Sequence, residues 1–134
     1  MNPKFTTFIV CVIILHTVYI GENVPTKFTD DIYINDNAKL INKSKVYVKG
    51  DLLKFGTNDT AFIEQIVFNG IYNQRLEGEM IKIDSLIVQK NTGELNVLND
   101  INIEKGIVFN SGNVNNTLRT IYLAKNAKLI GENE

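Results

Sequence analysis

The sequence predicts an all-β chain, a short right-handed parallel β-helix (solenoid) preceded by an N-terminal hydrophobic signal segment. Three observations carry that prediction. First, from Leu86 onward short apolar pairs follow one another: Leu86/Val88, Leu95/Val97, Ile101/Ile103, Ile107/Phe109 and Ile121/Leu123. Each pair brackets one residue, so alternation puts both members on one face of a short strand and the middle residue on the other. Second, Asn, Gly, Asp, Lys and Thr separate the pairs, with no helical pattern between them. Third, equivalent positions recur about every 20 or 21 residues, as from Leu86 to Ile107 and from Ile101 to Ile121, which is a period of stacked units. Strands this short are not stable as free hairpins, but stacking each on the coil above and below gives them partners and a shared core.

The first element is residues 1–21. Lys4 supplies a positive start, and Phe8 to Ile20 is an uncharged apolar run of about thirteen residues, the length of an export-signal core and short of a bilayer span. With Gly21 as the small residue at the cut, the segment reads as a signal peptide or an uncleaved anchor, with a buried strand or helix as the alternative. It contains the only Cys (Cys11) and the only His (His16). Its removal would exclude thiolate, imidazole and disulfide chemistry together.

Residues 22–31, with Pro25 and several charges, read as a linker, and 32–134 as the β-helix domain, expected to be incomplete at its C-terminal end. Within that domain Ile32 to Ile41 and Ile121 to Ile130 are identical at seven of ten positions, about 89 residues apart, or four or so coils. The match predicts one strand–turn–strand geometry at both places, with Asn37 and Asn126 at the turns. The middle, Leu52 to Glu79, fits the repeat less well. It reads as a longer strand, a loop and another strand, and Ile63, Ile66 and Val67 also suit a short helix over Thr60 to Val67. Gly93, Gly106, Gly112, Asn99 and Asn110 are expected at coil corners.

From Phe68-Asn69-Gly70 and Asn73-Gln74-Arg75-Leu76-Glu77-Gly78 through Gly93-Glu94-Leu95-Asn96-Val97 to Gly106-Ile107-Val108-Phe109, the chain resembles the repeat region of large secreted or surface proteins of Bacteroidetes-type bacteria. Val48-Lys49-Gly50-Asp51-Leu52 is similar to another of their phrases. The resemblance implies a right-handed parallel β-helix and export by type IX secretion, although no sorting domain is visible in this sequence. It implies no catalytic residues.

Composition narrows function by exclusion. Of 134 residues, 44% are hydrophobic and 22% charged, and 14 Lys and Arg against 15 Asp and Glu leave a formal net charge of −1. Such a chain folds, and it has no basic excess for a nucleic-acid backbone. No Trp is present to stack on sugars. The carboxylates Asp30, Asp31, Asp36, Asp51, Asp84, Asp100 and Glu104 are the remaining acid–base candidates, expected instead to bond backbone at turns. Asn35-Asp36-Asn37 and Asn99-Asp100 offer oxygen ligands without the spacing of a calcium loop, so no catalytic residue, cofactor or metal site is assigned.

Tyr33, Tyr47 and Tyr122, each the middle of an apolar triplet, are expected to point outward, as a surface binding row or a packing ladder. Asn42, Asn58 and Asn115 begin Asn-X-Ser/Thr triplets. The expected role is a non-enzymatic structural or adhesive module, secreted or at the cell surface. Its expected partners are a glycan or protein there, end-to-end contact with further coils, and a membrane only through the N-terminal segment. The rivals are a carbohydrate-active β-helix enzyme, lyase- or hydrolase-like, and a secreted β-sandwich binding module.

Overall fold

The computed structural model describes residues 6–8, 12–14, 18–21 and 25–131, for the first three strands as backbone apart from Tyr19. Cys11 and His16 lie outside the described residues. The chain is all-β: a parallel β-solenoid of about five turns. Every strand pair among the described residues is parallel. An antiparallel sandwich is thereby excluded, because each strand meets the next coil and no hairpin folds back.

Each coil has three faces. The first face stacks Thr26–Phe28 under 46–48, 66–68, 86–88, 107–109 and Lys128–Ile130. The second stacks Ile32–Ile34, Leu52–Lys54, Gln74–Glu77, then 95–97 and 113–115. The third stacks 40–42, 61–63, 81–83, 101–103 and Ile121–Leu123. Long strands such as Ile81–Val97 and Ile101–Asn115 bend through corners and serve more than one face.

Alternation along these strands builds the core as the apolar pairs require. Val46, Val48, Ile66, Phe68, Leu86 and Val88 point inward from the first face, Ile32, Ile34, Leu52, Leu76, Leu95 and Val97 from the second, and Ile63, Ile81, Ile83, Ile101 and Ile103 from the third. All are buried, so three sides of a narrow prism contribute to one column of packed side chains. The registers Leu86↔Ile107 and Ile101↔Ile121 are those the spacing anticipates.

Several expectations change. The linker over 22–31 is not a linker throughout: Thr26–Phe28 is a strand with Thr26 and Phe28 buried, paired with 46–48, so the stack begins before Ile32. Pro25 sits just before that strand, where its missing N–H removes no ladder bond. Short strands at Thr6–Phe8, Val12–Ile14 and Val18–Ile20 pair in parallel with Thr26–Phe28, Ile32–Ile34 and 40–42. Thr60 to Val67 is not helical, because Ala61–Phe68 is a strand running from the third face into the first.

The repeated decapeptide also lands differently. Ala38 N–H donates to Asn35 O at 3.0 Å, and Ala127 N–H to Ala124 O at 2.8 Å, so both copies close the same kind of turn. The first copy turns from the second face to the third, whereas the second turns from the third to the first. Their separation of about 89 residues is therefore four coils plus one face.

The irregular middle has a specific cause. On the first and third faces the coil length there stays at 20 residues, as in Val46↔Ile66↔Leu86 and Ile63↔Ile83. On the second face Asp51 meets Arg75, an offset of 24 residues, where Asp31 meets Asp51 at 20. In ladder register four residues have passed from after the second face to before it: seven residues separate Phe68 from Leu76 where three separate Val48 from Leu52, with no change in coil length. The early coils have a long corner at 55–60 and a short one at 49–51. The next coil reverses this, with a long corner at 69–73 and a tight one at 78–80. Gly78 at φ 129 and Met80 at φ 57 make that tight corner. A Cβ on Gly78 would collide with the Lys54 carbonyl oxygen of the coil beneath.

Candidate functional site

The long corner at 69–73 presents two adjacent large apolar side chains outward. Ile71 is 66% and Tyr72 78% exposed. Exposed corners have few packing contacts to hold them, but this one is tied down from inside. Lys90, only 2% exposed, reaches under it from the next coil. Its Nζ donates to Gly70 O at 2.8 Å, Tyr72 O at 2.7 Å and Gln74 Oε1 at 2.9 Å. All three ammonium protons are thus spent without a carboxylate. Burial pulls the Lys90 ammonium below its ordinary value, with the charge of Asp51 opposing.

Gln74 completes the arrangement. Its Oε1 accepts from Gly70 N–H at 2.7 Å, while its Nε2 donates to Val48 O at 2.9 Å and to Gly50 O. Thr92 Oγ1 donates to Ile71 O at 2.5 Å, and Asn73 Oδ1 accepts from Glu94 N–H at 3.1 Å. Three successive loop carbonyls are therefore held by side chains of the next coil, and Ile71 and Tyr72 are the large apolar side chains the loop shows to solvent. In the sequence Lys90 carries no assigned role, and Gln74 enters only as part of the Asn73-to-Gly78 phrase. The available signal was the density of Gly and Asn around them, which marks a corner where backbone needs side-chain partners.

The three predicted tyrosines do not form a row. Tyr33 lies on the second face, Tyr47 on the first and Tyr122 on the third. Alternation placed each at an outward position, but the faces cannot be told apart by alternation alone. Tyr33 stacks on Phe55 with ring centroids 6.3 Å apart and 5° between planes, and its OH donates to Asp31 Oδ2. Tyr47 borders a cleft of about 270 Å³ with Lys27, Lys49 and Asn69. Tyr122 is half exposed.

The carboxylates do bond backbone, but mostly in an adjacent coil rather than within their own turns. Asp31 Oδ1 accepts from Asp51 N–H at 2.8 Å, Asp51 Oδ1 from Arg75 N–H at 2.7 Å, and Asp100 Oδ1 from Thr120 N–H at 2.8 Å. Asp51 Oδ2 also accepts from Arg75 Nε at 2.8 Å. Asp36 and Asn37 both take the Asn58 amide, tying one long corner to the next. Asp84 pairs with Lys105 at 2.7 Å. Asp30 is a local case, accepting from Asp31 N–H. Glu104 is exposed on the third-to-first corner, and no group of three or more acidic, His or Cys side chains among the described residues is placed to hold a metal ion.

Of the three Asn-X-Ser/Thr triplets, Asn42 is fully buried and its amide donates to Ser44 Oγ. Asn58 and Asn115 have amides engaged by Asp36 and Glu94 respectively.

A second feature comes from the same shift of chain between corners. Where the long corner 55–60 overhangs the short one at 78–80, a cleft of about 320 Å³ opens, lined by Lys54, Phe55, Thr57, Glu77, Glu79 and Asn99 among others. A smaller cleft continues from Glu79 and Asn99 to Asp100 and Arg119.

No family model matches the chain, and no curated protein or solved structure does either.

Proposed function

We propose that the chain is a non-enzymatic adhesive module, exported to the cell surface or beyond, that uses the Ile71–Tyr72 corner as its contact. The observation that carries this reading is the immobilised display of two large apolar side chains. A buried ammonium, a glutamine, a threonine and an asparagine hold the loop backbone, so the ordering cost of a contact is met in advance. Burying an apolar side chain such as Ile71 in a partner is worth roughly 1.5–3 kcal/mol, and tyrosines such as Tyr72 are frequent interface anchors. The engagement of Asp31, Asp51 and Asp100 with neighbouring coils favours a structural use of the carboxylates over acid–base catalysis. Export rests on the apolar run from Phe8 to Ile20.

The test is retention of beads carrying the full chain on a panel of cell and matrix surfaces, with depolymerisation assays on polysaccharides beside it. Tyr72→Ala and Ile71→Ser are expected to cut retention about tenfold or more, with melting unchanged because both side chains project into solvent. Retention indifferent to both substitutions, or chain cleavage of any polysaccharide, would overturn the reading.

A further inference from the structure

The cleft beneath the overhanging corner 55–60 is built with unspent hydrogen-bonding groups. Lys54 occupies an inward position on the second face, opposite Ile34 in the coil below, and is 5% exposed. Its stem lies in the core, and its Nζ donates to Gly56 O at 2.8 Å on the cleft wall. Its other two protons have no partner among the described residues. Glu77 and Glu79 line the same cleft, yet neither is within ion-pair distance of Lys54. With one protein hydrogen bond at the wall of an open cleft, the ammonium keeps two donors that a ligand with oxygen acceptors can take in place of water.

The remaining groups narrow the ligand. Asn99 Oδ1 is committed to Gly78 N–H at 2.8 Å, which leaves its amide N–H₂ as a donor beside the cleft. Glu79 offers a free acceptor, and Glu77 is held only loosely by Arg75 at 3.8 Å. Phe55 is 50% exposed, and its stacking on Tyr33 fixes the plane of the ring. An anion meeting Lys54 would also meet two carboxylates. A cation meeting those carboxylates would meet Lys54, and no three-ligand acidic cluster exists among the described residues to hold it. A ligand that donates and accepts from the same atoms, with an apolar flank for Phe55, satisfies all of these groups at once.

We propose that this cleft is a binding site for a neutral saccharide. Hydroxyl oxygens accept from Lys54 Nζ and the Asn99 amide, hydroxyl protons go to Glu77 and Glu79, and a C–H face rests on Phe55. The volume lies at the lower end of ligand pockets, roughly 300–1,000 Å³, which suits a short oligosaccharide rather than a polymer-length groove. The site is on a different corner from Ile71 and Tyr72 and does not depend on their role.

Calorimetric titration of the full chain with neutral oligosaccharides, and with uronic-acid oligosaccharides of equal length, tests this. Saturable binding of at least one neutral oligosaccharide is expected, with the acidic set at least tenfold weaker. Phe55→Ala, at a half-exposed side chain, is expected to weaken binding about tenfold while the fold is kept and melting falls only by the loss of the Tyr33 stack, and Lys54→Met to weaken it by at least as much. Should Lys54→Met fail to fold, Phe55→Ala and Glu79→Gln decide the matter, the latter again weakening binding. Tyr72→Ala should leave sugar binding untouched, so failure here is distinct from failure of the adhesive reading. Absence of neutral-sugar binding, preference for the acidic set, or affinity indifferent to Phe55→Ala would overturn the proposal.

Discussion

Replacing Lys90 by Met tests whether the displayed corner is held from within. The substitution keeps the stem and removes an ammonium that donates to Gly70 O, Tyr72 O and Gln74 Oε1. Gln74 Oε1 retains the Gly70 N–H, and the Tyr72 carbonyl is close enough to solvent to gain water, so the Gly70 carbonyl is the group left stranded. A buried unsatisfied acceptor costs about 1–3 kcal/mol. Relief from burying a charge offsets part of the loss of the two other charge-assisted bonds, leaving a net cost of about 2–3 kcal/mol. For a chain of this size that lowers the melting temperature by roughly 10 °C. Hydrogen exchange should quicken first at the amides of Gly70 and Glu94. Burial lowers the Lys90 pKa, so the folded state takes up this proton less readily than the unfolded chain, and stability rises with pH from the folded value toward the ordinary 10.5. The gap between wild type and Lys90→Met should therefore widen as pH climbs through that window. A wild-type melting temperature, unaltered exchange in the corner and a pH-independent gap would together refute the reasoning.

Two other outcomes follow from the packing. Gly78→Ala should destabilise by more than ~1 kcal/mol, read from denaturant midpoints, because a Cβ there meets the Lys54 backbone at a φ that L residues rarely adopt. Asp51→Ala, which removes two bonds to the exposed Arg75, should cost about 0.5–1.5 kcal/mol, whereas Asp51→Asn should recover much of this by keeping one acceptor oxygen. Equal melting temperatures for the Ala and Asn variants would show that the inter-coil bond contributes little.

The stack itself could be read from residues. Pairs such as Leu86/Val88 and Ile101/Ile103 are inward because alternation allows nothing else once one member is buried, and their spacing of about 20 residues is the ladder register. What could not be read is which of three faces a strand occupies. Tyr33, Tyr47 and Tyr122 look equivalent in sequence and stand on three different sides. The irregular stretch from Leu52 to Glu79 defeated the pattern for the same reason, since moving four residues between corners scrambles local spacing while the first-face step there stays at 20 residues. Lys54 and Lys90 were invisible because a lysine at an inward position is recognised only when the corner carbonyl it reaches is known. Thr26–Phe28 was missed because Pro25 and nearby charges outweighed a three-residue strand whose stability comes wholly from its neighbours.

A coil length held while chain passes between corners makes this part of the solenoid a modular ruler. A single transfer of chain raises a ledge on one edge and cuts a notch on another, and the pitch of every later rung is unaffected. Variation of this kind escapes alignments that score insertions and deletions, because nothing has been inserted or deleted. Recombination or grafting that respects whole rungs would leave ledge and notch intact. A splice between Asp51 and Arg75 that assumed a uniform 20-residue step would instead slide the second face along its strand by two side-chain repeats, carrying its apolar residues past the partners they were shaped to meet.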